Sequence, residues 1–281
     1  MEQAQVDALI DLLDLEPIEV NIFRGVNPDE DRQRIFGGQV AGQALVAAAR
    51  TVDDDRSVHS LHAYFLRPGD PSVPVLYEVD RIRDGRSFTT RRVVAIQHGR
   101  AIFHMSASFH VAEPGDEHGD EMPDVPSPDG LLTRAERFAA AGIDDAYGPS
   151  ALDVRYVTKD PFNRNEPLPP TQQVWFKANG ALPDGQVLHT CLLTYASDMT
   201  LLDTTLLPHG SGAADRKVMM ASLDHAMWFH GPFRADEWLL YDQHTPAATG
   251  ARGLATGRVF THDGRLVANV VQEGLIRRVD A

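Results

Sequence analysis

Phe36-Gly37-Gly38-Gln39-Val40-Ala41-Gly42-Gln43-Ala44-Leu45-Val46-Ala47-Ala48-Ala49 is apolar on nearly every side and rich in small residues. A helix lying on a surface carries one apolar stripe, whereas a helix that is apolar all round is wrapped by other structure. The chain that follows supplies the wrapping. Ser57 to Leu66, Val75 to Ile82, Phe88 to Gln97 and Ala101 to Val111 each read as strands. Ahead of the quoted stretch, residues 3 to 14 read as a helix with Val6, Leu9, Ile10, Leu12 and Leu13 on its apolar face. Ile18 to Ile22 then alternates as one strand. The expectation is a helix enclosed by an antiparallel sheet.

The second half repeats this order. Leu152 to Val157 and Gln172 to Ala178 read as strands, Val187 to Ser197 as a helix, and Val218 to Phe229, Trp238 to Thr245, Gly250 to Thr261 and Leu266 to Ile276 as strands. Two local matches support a duplication. His59-Ser60-Leu61-His62-Ala63 resembles Ala221-Ser222-Leu223-Asp224-His225-Ala226, and His98-Gly99-Arg100 resembles Asp263-Gly264-Arg265, at nearly the same offset. Between the halves, Glu113 to Asp129 holds seven acids, no Lys or Arg, and several Pro and Gly, and reads as a solvated linker. The expected organisation is residues 1–112, a linker over 113–150, and residues 151–281. A sheet wrapped round a helix is the hot-dog fold, so the predicted class is α+β, a double hot-dog.

Composition narrows the function. At 281 residues, 43% hydrophobic and 23% charged, the chain resembles an ordinary globular protein. A net charge of −14 opposes non-specific attachment to nucleic acid or an anionic membrane. No apolar run approaches the roughly 20 residues needed to span a bilayer. Met1 to Asp7 has no apolar signal core, and Arg277 to Ala281 is not a peroxisomal address. With Cys191 as the sole cysteine, no intrachain disulfide is possible, which fits a cytoplasmic location. Cys191 reads as a small buried residue rather than a reactive thiol.

Three polar residues stand in apolar or strand-like stretches. Asp198 follows Cys191-Leu192-Leu193-Thr194-Tyr195-Ala196-Ser197, Ser222 lies in Met219-Met220-Ala221-Ser222-Leu223, and Gln272 lies in Val270-Val271-Gln272-Glu273-Gly274. Buried polar groups are costly unless paired. A carboxylate, a hydroxyl and a carboxamide are able to hold one another and a water molecule, as a hydrolase requires. Ser222 does not read as a nucleophile, because no Gly-x-Ser-x-Gly elbow surrounds any serine. In a regular strand Ser222 and His225 point to opposite faces, so they meet only across a bulge, while Asp224 shares the face of Ser222. His209, His225 and His230 match no familiar zinc spacing and read as core or loop residues. Trp228 and Phe229 read as core or pocket wall. Gly37-Gly38 reads as a helix start, offering either free amides or close packing.

Phe36-Gly37-Gly38-Gln39, Leu192 to Asp198, Pro208-His209-Gly210, Ser222 to His230 and Val271-Gln272-Glu273-Gly274 together resemble the acyl-CoA thioesterase II (TesB-like) family of double hot-dog enzymes. The resemblance covers nearly the whole chain. It implies hydrolysis of fatty acyl-CoA, of medium to long chain, to free acid and CoA without metal or cofactor. It places the catalytic carboxylate on Asp198, the hydroxyl on Ser222, where many bacterial members carry Thr, and the carboxamide on Gln272. In related hot-dog enzymes the helix start polarises the thioester carbonyl, which makes Gly38 a candidate donor. Val46 and Ala107 fall opposite Asp198 and Gln272 in the first half, so one working site per chain is expected. Homo-oligomers, dimers or tetramers of double hot-dogs, are expected as well. The competing readings are a non-enzymatic acyl-CoA sensor and a hot-dog hydratase, whose Asp-x-Asn-x-x-His signature does not begin at Gly69-Asp70-Pro71.

Overall fold

The computed structural model describes residues 2–28, 33–141, 150–158, 166–212 and 217–279. Helix α1 (Glu2–Leu13) leads into strands β1 (Glu16–Glu19) and β2 (Ile22–Gly25). These two short strands replace the single strand expected over Ile18–Ile22. Asn21 takes a positive φ of 62°, which Asn tolerates better than most residues, and the chain reverses there.

Helix α2 (Gly37–Ala49) is followed by β3 (Arg56–Phe65), β4 (Val75–Asp84), β5 (Phe88–Gln97) and β6 (Arg100–Val111). After the linker region, which contains helix α3 (Arg134–Ala141), come β7 (Leu152–Tyr156), β8 (Thr171–Ala178) and helix α4 (Gln186–Ser197). Strands β9 (Val218–Ser222), β10 (Asp224–Phe229), β11 (Leu239–Thr249), β12 (Arg252–Thr261) and β13 (Leu266–Arg278) complete the described chain.

All of these strands belong to one antiparallel sheet, in the order β1-β2-β4-β5-β6-β3-β10-β13-β12-β11-β8-β7, with β9 paired to β13. The two halves of that order mirror each other about the β3–β10 pair. β6 corresponds to β13, β5 to β12 and β4 to β11, which is the duplication inferred from the two sequence matches. Joining the sheets at β3 and β10 pairs two edges that would otherwise stand open. This is the double hot-dog.

Both central helices are buried, and one continuous core holds residues of both halves, including Ala44, Leu45, Leu61, Leu192, Leu193 and Met227. The small residues of α2 allow the helices to touch. A Cβ on Gly38 would stand 2.3 Å from the carbonyl oxygen of Tyr195, and one on Gly42 would stand 3.3 Å from that of Cys191. Gly38 and Gly42 are one turn apart, as are Cys191 and Tyr195, so one face of α2 lies against one face of α4. Cys191 is fully buried there, and burial pushes its thiol up to about 12.

Two elements differ from expectation. The 3₁₀ segment Leu202–His209 packs on β11 and β12, and Gly274 leaves room for Leu202, whose side chain would lie 2.4 Å from a Cβ at that position. The acidic linker is largely exposed, but it is also a strap. Pro126 accepts a hydrogen bond from Trp175 Nε1 (2.9 Å), and Met122 and Val125 cover Trp175, Leu240 and Phe260. Those three side chains form an apolar patch on the second sheet that needs cover from water. Residues 142–149 of the expected linker lie outside the described residues.

The Gly38–Tyr195 approach generates a prediction. Gly38→Ala forces α2 and α4 apart and should cost about 1–3 kcal/mol, the usual penalty of overpacking. For a chain of this size that lowers Tm by several degrees. Gly130→Ala, where a Cβ meets nothing within 4 Å, is the control and should leave Tm within about a degree. Equal melting curves for the two variants would remove the helix contact from the account.

Candidate active site

Asp198 is the C-cap of α4. A carboxylate there faces the negative end of its own helix and does nothing for that helix's stability. Its support comes from the other half of the chain. The α2–α4 contact brings Asp198 to the start of α2, where the backbone N–H of Gly38 donates to its carboxylate. A Cβ on Gly37 would lie 2.7 Å from Asp198 Oδ2, so glycine at 37 leaves the carboxylate its place. The amide of Gly38, expected as a carbonyl donor, is thus engaged by Asp198.

Gln272, on β13, is fully buried and reaches the same point. Its Nε2 donates to Asp198 Oδ1 at 2.6 Å and to Ser222 Oγ at 2.9 Å. Ser222 Oγ lies 3.5 Å from Asp198 Oδ1, a separation too long for a strong hydrogen bond. The three side chains converge with the carboxamide at the centre, using both of its N–H groups.

The strand carrying Ser222 is irregular. Ser222 pairs with Gly274, whereas Ala226 pairs with Val271, so the register against β13 changes by one residue between them. Leu223 sits at the break, donating to Glu273 O (2.9 Å) and accepting from Phe65 N (2.9 Å) of the first half. This is the bulge that a regular strand lacked. It allows both Ser222 and His225 to approach Gln272 from β9 and β10. The expectation that Asp224 shares the face of Ser222 fails for the same reason. The carboxylate of Asp224 instead accepts from the backbone N–H of Glu273 at 2.7 Å.

Electrostatics follow from burial. Burial pushes the Asp198 carboxyl up to about 6, against the opposing pull of Gln272, the Gly38 amide, Ser222 and Arg34. It pushes His225 down to about 4, a drop partly offset by Gln272, so the imidazole is neutral at ordinary pH. Asp198 also raises the Tyr241 phenol, on which burial is the larger influence. A carboxylate with a pKa near 6, fixed among hydrogen-bond donors, is ionised at neutral pH and able to accept a proton.

Other residues singled out in the sequence lie elsewhere. His209 and His230 are exposed, and His230 bonds Asn269 Oδ1 at 2.7 Å. Trp228 meets His62 edge-on at 5.1 Å, and Phe229 packs on the core. Val46 packs on the apolar core and Ala107 lies within it, so among the described residues the matching places of the first half hold no carboxylate or carboxamide. Three participants were not legible in the sequence: the Gly37–Gly38 contact with Asp198, the bulge at Leu223, and His225.

A cavity of about 710 Å³ is lined by Leu9, Leu12, Phe36, Phe138, Val154, Tyr195 and Met199 among others, but not by Asp198, Ser222 or Gln272 themselves. Phe36 immediately precedes Gly37, and Tyr195 and Met199 flank Asp198 along the chain. Phe36 and Tyr195 pack edge-on with centroids 5.1 Å apart.

Comparison with known proteins gives the family of the chain. The family described as Acyl-CoA thioesterase matches residues 152–275, and the Acyl-CoA thioesterase N-terminal domain matches residues 27–110. Acyl-coenzyme A thioesterase 8 of Homo sapiens is 43% identical over 95% of this chain and 88% of its own length. Acyl-CoA thioesterase 2 of Haemophilus influenzae is 41% identical over 96% of each. The crystal structure of an acyl-CoA thioesterase II from Mycobacterium marinum superposes with a TM-score of 0.81 at 50% identity, covering 96% of this chain and 98% of that one.

The raised pKa of Asp198 has a consequence for stability. A carboxyl whose folded pKa exceeds its unfolded value favours the fold fully below the unfolded pKa and loses that contribution as pH rises through about 6. Asp198→Asn carries no such charge. Relative to the native chain, it should melt higher at pH 8 than it does at pH 4. Thermal melts of both proteins at the two pH values check this, and an advantage that shrinks with rising pH would contradict the burial of the charge.

Proposed function

The chain belongs to the acyl-CoA thioesterase family and hydrolyses acyl-CoA, and we propose that Asp198 is its general base while Ser222 and Gln272 position the attacking water. The convergence of the three side chains on the Gln272 carboxamide carries this reading. Asp198 takes a proton from water as the oxygen adds to the thioester carbonyl. The tetrahedral intermediate then collapses with cleavage of the C–S bond. The protonated Asp198 returns its proton to the departing CoA thiolate, leaving free acid, CoA and the starting carboxylate.

A pKa of about 6 suits that exchange, being high enough for useful basicity and low enough for ionisation at neutral pH. Thiolate is a good leaving group, so no acyl-enzyme on Ser222 is needed. Ser222 accepts from Gln272, and its own proton, held only by a long 3.5 Å contact to Asp198 Oδ1, can turn to orient water or the substrate oxygen. Gly38 anchors the base. Its amide polarises the thioester carbonyl only if substrate displaces the bond to Asp198.

Asp198→Asn should lower kcat by roughly 100-fold or more, the usual size of a general-base effect. In the native enzyme kcat/KM should fall with unit slope below pH about 6. Ser222→Ala should be impaired without being inactive, and Ser222→Thr should keep substantial activity. Rapid mixing should show CoA released without a burst. Near-native turnover in Asp198→Asn, or an acyl group trapped on Ser222 by intact mass, would overturn the assignment.

The cavity supports medium to long acyl chains as substrates. Burial of a methylene is worth about 0.8 kcal/mol, so kcat/KM should rise by up to about four-fold per carbon and level off once the cavity is full. A series of acyl-CoA lengths, with released CoA detected by a thiol reagent, measures this. Flat activity from acetyl- to palmitoyl-CoA would sever the cavity from the reaction. Tyr64, Leu76, Ile82 and Phe88 are large, exposed apolar side chains on the first sheet, which supports a homo-oligomer, and light scattering on the same preparation should give a dimer or tetramer rather than a monomer. No helix among the described residues is long and apolar enough to cross a membrane. The proposed location is the cytoplasm, and fractionation of expressing cells should leave the enzyme in the supernatant rather than the membrane pellet.

A further inference from the structure

His225 is buried, titratable and unused by the reaction as described. Its position is defined from two sides. The β10–β13 ladder pairs Ala226 with Val271 and Met227 with Val270, which places His225 opposite Gln272 on the next rung. Residues facing one another across antiparallel strands have Cβ atoms about 4.5–5.5 Å apart. On the other side, His225 Nε2 lies 2.9 Å from the hydroxyl of Ser197, the residue before Asp198.

Two buried polar atoms in this neighbourhood have no hydrogen-bond partner, His225 Nδ1 and Gln272 Oε1. They are complementary in only one arrangement. Gln272 turns its Nε2 toward Asp198 and Ser222, so its oxygen needs a donor. A neutral imidazole has one N–H. With that proton on Nε2, Nδ1 presents a lone pair and the Gln272 oxygen stays bare. With the proton on Nδ1, the ring donates toward Gln272, and Nε2 accepts from Ser197 once that hydroxyl turns its single proton away from Thr194 O, the other acceptor 2.9 Å from it.

We propose that His225 is a positioning residue, held as the Nδ1–H tautomer by the Ser197 hydroxyl and donating to Gln272 Oε1, so that the carboxamide cannot turn its oxygen toward Asp198. The chain of bonds is then Ser197 to His225 to Gln272, ending at Asp198 and Ser222. A flipped carboxamide would set oxygen against carboxylate and strip both catalytic groups of their shared donor. The proposal rests on Gln272 serving the reaction as described above.

Two measurements test it. In native enzyme labelled with ¹⁵N-histidine, the ring shifts of His225 at neutral pH should report the Nδ1–H tautomer, the signal being assigned by its absence from His225→Asn. An Nε2–H or charged ring overturns the proposal whatever the activity of Asp198→Asn. The second is a double-mutant cycle. His225→Phe should lower kcat about ten-fold or more with little change in KM, the size expected when a buried acceptor loses its donor. In a Gln272→Ala background it should have almost no further effect. His225→Asn, whose amide can replace Nδ1–H, should recover most of the lost kcat. Additive losses in the cycle, or full kcat in a folded His225→Phe, would show that the ring merely fills space. Should His225→Phe fail to fold, the tautomer still decides.

Discussion

The amide of Gly38 and the carboxylate of Asp198 form the contact on which the site depends. A carboxylate at the C-terminus of a helix is repelled by that helix, and burial adds to the cost. Here the start of a second helix, from the other half of the chain, meets it. That meeting requires α2 and α4 to approach until backbone touches backbone, and Gly38 and Gly42 allow this because they carry no Cβ. The double hot-dog is therefore more than two copies of one unit sharing a sheet. The first copy supplies the helix start that holds the second copy's Asp198, although it has no carboxylate or carboxamide at its own matching places.

The neighbouring groups extend the same logic. Gln272 is fully buried, and its carboxamide ties the carboxylate to Ser222. These bonds favour the ionised acid, while burial disfavours it, and the balance lies near 6. A fully solvated Asp would be a weak base, and one buried without donors would remain protonated. The register change at Leu223 completes the arrangement. It turns a strand that would present Ser222 and His225 to opposite sides into one that brings both to Gln272, and Leu223 itself is pinned between β13 and the first half through Phe65.

The cavity draws on both halves too, through Leu9, Leu12 and Phe36 from the first and Val154, Tyr195 and Met199 from the second. The cavity and the Asp198 cluster thus both draw on the two halves of the chain. A change in the spacing of α2 and α4 acts on both at once.

Much of this was legible in the sequence because it depends on local pattern. A helix apolar on all sides has to be wrapped, and alternating runs after it have to be the wrapping. Two such series, with local matches at nearly the same offset, point to a duplication. Asp198, Ser222 and Gln272 stood out because polar side chains in apolar stretches need partners, and the family motifs carried the rest. What the sequence did not carry is set by distances between segments far apart in the chain. Glycines at 38 and 42 mark a close approach without naming what approaches. A bulge at Leu223 shifts register by one residue and leaves no mark on composition. The acidic linker reads as solvated because its charges face water, while the few apolar residues that strap it to Trp175 have no period. His225 looks like any core histidine until the opposing strand puts a carboxamide across from it. Sequence determines which groups must be buried, whereas only the packing of helix on helix and strand on strand decides which buried groups meet.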